Sequence, residues 1–283
     1  MSESPELASV AELAAAKLGL RGVTFVGKGA FKETYRVEDM NGRPLALKLV
    51  DRRKIGLDRT EREISALKRC NSDRIAKVMD SQIFKAPDER VFDLVVEEFL
   101  DGGSLDDRLK TRPFNRSEVI GLAVGLAQAV RDMYPLQIVH RDIKPANIMF
   151  RQSSPEPVLV DFGLVRDLSQ TSLTATWQAV GPGTPFYASP EQLNNDKPLI
   201  DWRSDQFSIG VVLGHLLTSR HPYQTDPTNS STGIYAARDR RGPSAEFRVA
   251  MRELGLPVVV KMVNPWPVQR FPTPDALLEI LKS

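Results

Sequence analysis

The sequence predicts an α+β chain in two parts, a small antiparallel-sheet part followed by a larger, mainly helical one, and three observations carry the prediction. Residues 23–50 have β texture: "VTFV", the glycine-bearing "GKGAFK", "ETYRVED", an Asn41-Gly42 turn signal and "PLALKLV" read as three antiparallel strands. Residues 91–100, "VFDLVVEEFL", return to strand character after a helical interval. Beyond Asp101-Gly102-Gly103-Ser104, the best linker candidate, helical patterns dominate.

Element by element, residues 1–20 read as a helix capped by Ser4 with Pro5 in its first turn, and Leu7, Val10, Ala14 and Leu18 fall near one face. With acids at 3, 6 and 12 and no basic start, residues 1–20 resemble neither a secretory nor a transit peptide. Residues 58–69 have helical spacing, with Ile64 and Leu67 on one side. Further helices are expected at 117–134, 203–218 and 274–282, the last capped by Thr273 with Pro274 at its first position. Residues 224–245, rich in Ser, Thr, Pro, Gly and Arg, read as a long surface loop, and Arg238, Arg240 and Arg241 as a solvated face rather than a nucleic-acid site. The best apolar run, 209–217, is far short of the roughly 20 residues of a membrane span and is interrupted by His215.

The 283 residues are enough for a sizeable core, and with a net charge of +2 no large electrostatic field argues for nucleic acid or an anionic membrane surface as the main partner. Cys70 is the single cysteine, which excludes an internal disulfide framework and suits a reducing, cytoplasmic compartment. With three dispersed histidines, a structural zinc site is not expected.

The chemistry concentrates in "VHRDIKPANIMF", residues 139–150. A carboxylate, Asp142, is followed by a cation, Lys144, and an amide, Asn147. If a phosphoryl group moves to a hydroxyl, the carboxylate orients the hydroxyl and accepts its proton, the ammonium neutralises the moving charge, and the amide oxygen holds a metal. Alone, such an acid and cation would be a surface salt bridge. Nineteen residues downstream, however, "VLVDFGLV" ends an apolar run on Asp161, a second oxygen ligand for a phosphate-bridging cation.

Together these stretches resemble the eukaryotic-type (Hanks-type) serine/threonine protein kinases, over about residues 21–283. By that resemblance "HRDIKPAN" is the catalytic loop and "DFG" begins the activation segment. Gly27 and Gly29 belong to a glycine-rich loop over the phosphates, Lys48 of "LALK" grips them, and Glu63 is its helix partner. "GTPFYASPE" closes the activation segment, Asp205 braces the catalytic loop, and Arg270 is a candidate to pair with Glu191. Glu98 and Leu100, in the connecting segment, are expected to meet the nucleotide. The resemblance implies a bilobal fold, with a strand-rich lobe at 21–99, a helical lobe at 100–283, and residues 1–20 as an added helix. It also implies ATP and Mg2+ or Mn2+ as cofactors, and protein substrates bearing Ser or Thr.

Four positions depart from the family pattern. Lys32 replaces the third loop glycine, Thr34 replaces a valine over the adenine, and Ser189 replaces an alanine, a change expected to be neutral. Glu97 stands at the gate of the deep pocket, where a buried carboxylate is costly unless hydrogen-bonded or protonated. Glu97 is expected to restrict inhibitors reaching behind the adenine.

Lys144 and "GTPFY" resemble serine/threonine rather than tyrosine kinases, and Lys144 with a segment ending in "SPE" makes a small-molecule kinase of related fold the weaker alternative. Arg141 and Arg166 are expected to approach each other, and a phosphorylated Thr176 or Thr174 would supply the anion between them. Regulation is therefore expected from autophosphorylation in the activation segment, from a regulatory protein, or from the N-terminal helix. The reading from a different class is a pseudokinase that holds nucleotide as a structural ligand. The substitutions at 32, 34 and 97 favour it; the intact set Lys48, Glu63, Asp142, Asn147 and Asp161 opposes it.

Overall fold

The computed structural model describes residues 6–29, 32–54, 64–65, 67–161 and 185–283. They divide into two compact units, the first running through Leu100 and the second from Asp101 onward.

The first unit is a five-stranded antiparallel sheet in the order β1-β2-β3-β5-β4: β1 Arg21–Lys28, β2 Lys32–Glu38, β3 Pro44–Asp51, β4 Val78–Lys85 and β5 Val91–Glu98. The period of two along each strand sorts its side chains. Tyr35, Val37, Leu45, Leu47, Leu49, Phe92, Leu94 and Val96 line one face and form the core of the unit. Helix α1, Ala8–Lys17, covers that face with Val10, Ala11, Ala14 and Ala15, and Leu7 joins them. Thr34, Ala46, Lys48, Val95 and Glu97 belong to the opposite face. Strand β4 escaped the sequence reading because it is a half-exposed edge strand without clean alternation. Of the helix expected at 58–69, the described residues 64, 65 and 67–69 are helical, with Ile64 and Leu67 buried.

The start of α1 differs from expectation. It begins at Ala8 with no side-chain cap of its own, while Ser4 and Pro5 lie outside the described residues. The amides leading into it are held from the sheet instead: the buried Glu33 carboxylate accepts the N–H groups of Glu6 and of the cap residue Leu7, each at 3.0 Å. An anion suits the positive end of a helix, whose first amides have no internal partner. The same carboxylate accepts the Tyr35 hydroxyl at 2.5 Å, and Lys28 pairs with Glu6 at 2.5 Å. Burial and Glu33 raise the pKa of the Tyr35 phenol, keeping it protonated.

The second unit is mainly helical. Helix α2, Leu105–Thr111, and helix α3, Arg116–Met133, each open on a reciprocal cap, Ser104 with Asp107 and Asn115 with Glu118. The Asp101–Ser104 segment is more than a linker. Gly102 N–H donates to Phe150 O and Phe150 N–H to Gly103 O, and a Cβ on Gly102 would lie 2.7 Å from the Arg151 backbone, so only glycine allows this approach. The partner is a hairpin of β6 Ile148–Arg151 and β7 Ser154–Leu159. Helix α4, Pro190–Leu193, precedes α5, Trp202–Thr218, whose 17 residues are buried nearly all round. Where a long loop was expected at 224–245, residues Ser231–Arg238 form helix α6 with Gly233, Ile234, Ala236 and Ala237 buried. Arg240 also differs from a solvated side chain: it pairs with Asp196 at 2.5 Å and stacks over Trp266. Helices α7 Ala245–Glu253, α8 Pro257–Met262 and α9 Pro274–Lys282 complete the unit. Among the described residues no helix is long and apolar enough to cross a membrane.

Candidate active site

Asp205, on α5 and fully buried, accepts the backbone N–H groups of His140 and Arg141, both at 2.8 Å. Burial pushes its carboxyl up to about 7, against the pull of those two amides and the Arg141 charge. The grip holds Arg141 at φ +66°, a left-handed conformation costing a non-glycine residue about 1 kcal/mol. Gln192 secures the other side by donating Nε2–H to Arg141 O at 2.8 Å. Ser189, expected to be neutral, takes part: both its hydroxyl and its amide donate to Gln192 Oε1, a side-chain bond alanine could not make.

His140 then ties this loop to the end of β7. Its Nδ1 lies 3.3 Å from the Asp142 N–H and accepts it, so the ring proton sits on Nε2 and is donated to Val160 O at 2.9 Å. The imidazole is consumed in ordering the loop.

Asp142, Lys144 and Asn147 come together on this frame. Asp142 Oδ2 accepts Lys144 Nζ at 2.9 Å and Asn147 Nδ2 at 3.0 Å; the same Nδ2 also donates to Asp142 O at 2.8 Å. The first pair retains about a fifth of its side-chain exposure, while Asn147 is buried. With its nitrogen committed to Asp142, the amide of Asn147 is oriented with Oδ1 as its acceptor. Val160 N–H donates to Asn147 O at 3.0 Å, placing Asp161, at φ +60°, directly beyond this contact. Amide and carboxylate oxygens are the donors hard divalent cations prefer. Asn147 Oδ1 and the Asp161 carboxylate supply donors of that kind. Among the described residues no cluster of three or more His, Cys, Asp or Glu could enclose a metal.

In the first unit, Gly27 on β1 faces Thr34 on β2, and Gly29 N–H donates to Lys32 O at 2.8 Å. A Cβ on Gly27 would meet nothing within 4 Å, leaving space over the backbone that a bulky anion needs. Lys32 lies back along Gly29, within 3.6 Å of where its Cβ would be. Thr34 is opposite Lys48. The Lys48 ammonium forms a salt bridge with the Glu97 carboxylate, both side chains under a tenth exposed. That pairing was absent from the sequence reading, which gave Lys48 only Glu63; it answers how a carboxylate is tolerated at 97. Glu98 ends β5, its N–H donating to Lys77 O, and Leu100 is buried. Glu63, Arg166, Thr174 and Thr176 lie outside the described residues.

Glu191 and Arg270 form a bidentate pair at 2.7 and 2.9 Å with neither side chain exposed. His215 on α5 lies with its Nδ1 3.1 Å from the Tyr187 hydroxyl. His221, in the loop before Pro222, is buried, and burial pulls its pKa down to about 3. A cavity of about 400 Å³ between α2, α3 and the β6–β7 hairpin is lined by Arg108, Arg112, Phe114 and Phe150 and holds none of the candidate site residues.

The family model of the protein kinase domain matches residues 21–273. The chain belongs to the protein kinase family. Relatives of this kinase domain include the "Probable serine/threonine-protein kinase SCO3848" of Streptomyces coelicolor, 30% identical over 246 residues that make up 83% of this chain and 36% of that one. Serine/threonine-protein kinase PknB of Mycobacterium tuberculosis is 30% identical over 255 residues, 88% of this chain and 40% of that one. Serine/threonine-protein kinase pkn3 of Myxococcus xanthus is 29% identical over 252 residues, 83% and 45% of the respective chains. The chain thus spans about two fifths of the length of the curated relatives it matches. The family uses ATP and a divalent metal.

Proposed function

We propose that this chain is a serine/threonine protein kinase transferring the γ-phosphoryl group of ATP to Ser or Thr hydroxyls of proteins. The observation that carries the reading is the Asp142–Lys144–Asn147 cluster on a loop braced by Asp205. Asp142 orients the acceptor hydroxyl and takes its proton, and Lys144 neutralises charge on the phosphoryl oxygens. The backbone around Gly27 and Gly29 cradles phosphates, Lys48 grips them, and Glu98 and Leu100 contact the nucleoside. Asn147 Oδ1 and the Asp161 carboxylate would hold Mg2+, or Mn2+ in its place, which supplies positive charge to the phosphates when bound.

The relatives' names support serine and threonine as acceptors, as do Lys144 and the "GTPFY" stretch. Control is assigned to autophosphorylation at Thr176 or Thr174, with Arg141 and Arg166 receiving the phosphate, and to a regulatory protein. The compartment assigned is the cytoplasm, on the single cysteine.

The test is phosphate incorporation followed by intact mass in purified protein with ATP and Mg2+, comparing wild type with Asp142→Asn. Gain in the wild type and none in the variant is expected. Equal gain in both would remove Asp142 from its role, and no gain with nucleotide bound would favour a pseudokinase. Peptide mapping of active protein with no phosphate between 164 and 183 would end the autophosphorylation assignment.

A further inference from the structure

Glu97 is where the chain departs from its family and where the structure shows a contact the sequence reading did not contain. In the antiparallel register Ala46 lies opposite Glu97 and Lys48 opposite Val95. Lys48 and Glu97 are thus diagonal neighbours on one face, within reach of two long side chains. Their heads meet in a salt bridge, with side-chain exposures of 8% and 6%. Asp93, the other acid of β5 on that face, is engaged by Arg52 at 3.2 Å, and Thr34 opposite Lys48 is neutral. A buried ammonium needs a counter-charge in every state of the protein, and Glu97 provides one within the sheet.

We infer that Glu97 sets nucleotide affinity: its carboxylate is a resident counter-ion of Lys48 with which incoming phosphates must share the ammonium. The inference rests on the reading of Lys48 as the phosphate-gripping lysine. Two anions on one cation repel each other, so the nucleotide binds more weakly than it would beside a neutral residue of the same shape. Glu97 acts through Lys48 and is a positioning residue, not a catalytic one.

The test is calorimetric titration of the full chain, carrying Asp142→Asn to prevent turnover, with ATP and Mg2+ and separately with adenosine. Glu97→Gln is expected to tighten ATP binding by about tenfold, the scale of removing one partly screened charge, and to leave adenosine within about twofold. Unchanged or weaker ATP binding overturns the inference, because a carboxylate that merely held Lys48 in place would cost affinity on removal. Equal tightening of adenosine also overturns it, by assigning Glu97 to the nucleoside pocket. If Glu97→Gln melts before titration, Glu97→Met, an apolar residue of similar length, serves the same comparison. Failure of both to fold would assign the carboxylate to sheet stability and overturn the affinity role. A parent chain that binds neither ligand takes down the nucleotide reading as well. ATP binding without phosphoryl transfer by the Asp142-intact chain sinks the proposed function alone.

Discussion

Replacing Arg270 with methionine should cost this chain a large share of its stability, because of what it would strand. Arg270 donates five hydrogen bonds: Nη1 to Glu191 Oε1 at 2.7 Å and Arg203 O at 2.8 Å, Nη2 to Glu191 Oε2 at 2.9 Å and Pro265 O at 3.3 Å, and Nε to Asn264 O at 2.8 Å. Neither partner of the ion pair is exposed. Methionine fills similar volume but leaves the buried Glu191 carboxyl without its cation and, among the described residues, with the Ser204 hydroxyl at 2.7 Å as its side-chain donor. Breaking a buried pair from one side costs roughly 3–5 kcal/mol, which for a chain of this size lowers Tm by roughly 10 °C. Arg270→Lys should fall between, keeping the charge but losing the two-pronged geometry.

Denaturant unfolding of the full chain at neutral pH measures the cost, and a second substitution tests its cause. Adding Glu191→Gln to Arg270→Met removes the stranded charge and should restore at least about 1 kcal/mol. The damage should also reach catalysis, because Gln192, next to Glu191, holds the Arg141 carbonyl. A single-variant cost under about 1 kcal/mol, or a double variant no more stable than the single, would refute the reasoning.

Asp205 predicts a pH dependence. With its carboxyl raised from 3.8 to about 7, the folded chain holds a proton the unfolded chain has released, so this group's contribution is complete below about pH 4 and is lost as pH rises to about 7. Asp205→Asn should flatten that slope in unfolding measured across the window, and an unchanged slope would assign it to other groups. Glu33→Ala leaves the Glu6 and Leu7 amides without their acceptor and should cost about 1–3 kcal/mol. Its α1 amides should lose hydrogen-exchange protection before the sheet does, and loss of protection in both together would count against a local tether. Glu97→Met should raise the affinity of inhibitors that reach behind the adenine, and unchanged dissociation constants would show that position 97 does not limit them.

What could be read from the chain alone followed the range of the interactions involved. Asp142, Lys144 and Asn147 lie within six residues, so one turn of backbone brings them together and their chemistry is legible as a string. The helix starting at Pro274 was legible for the same reason, its cap and first position being adjacent residues. Helix α6 was not, because its buried face is largely glycine and alanine, which give little hydrophobic contrast to a Ser- and Arg-rich stretch. The tether of α1 was hidden because its N-terminal acceptor comes from Glu33 on β2, 26 residues from Leu7.

The Lys48–Glu97 pair shows why this pattern matters for function. The two residues are 49 apart in sequence, and only the β3–β5 register makes them neighbours. A slip of one residue in that register would turn Glu97 to the α1 face and leave Lys48 without this partner. Local motifs therefore identify which groups act on a phosphate, whereas the counter-charges that set how tightly those groups hold it come from strand pairing. Two chains of this family with identical motifs can thus differ in nucleotide affinity through a single position on β5.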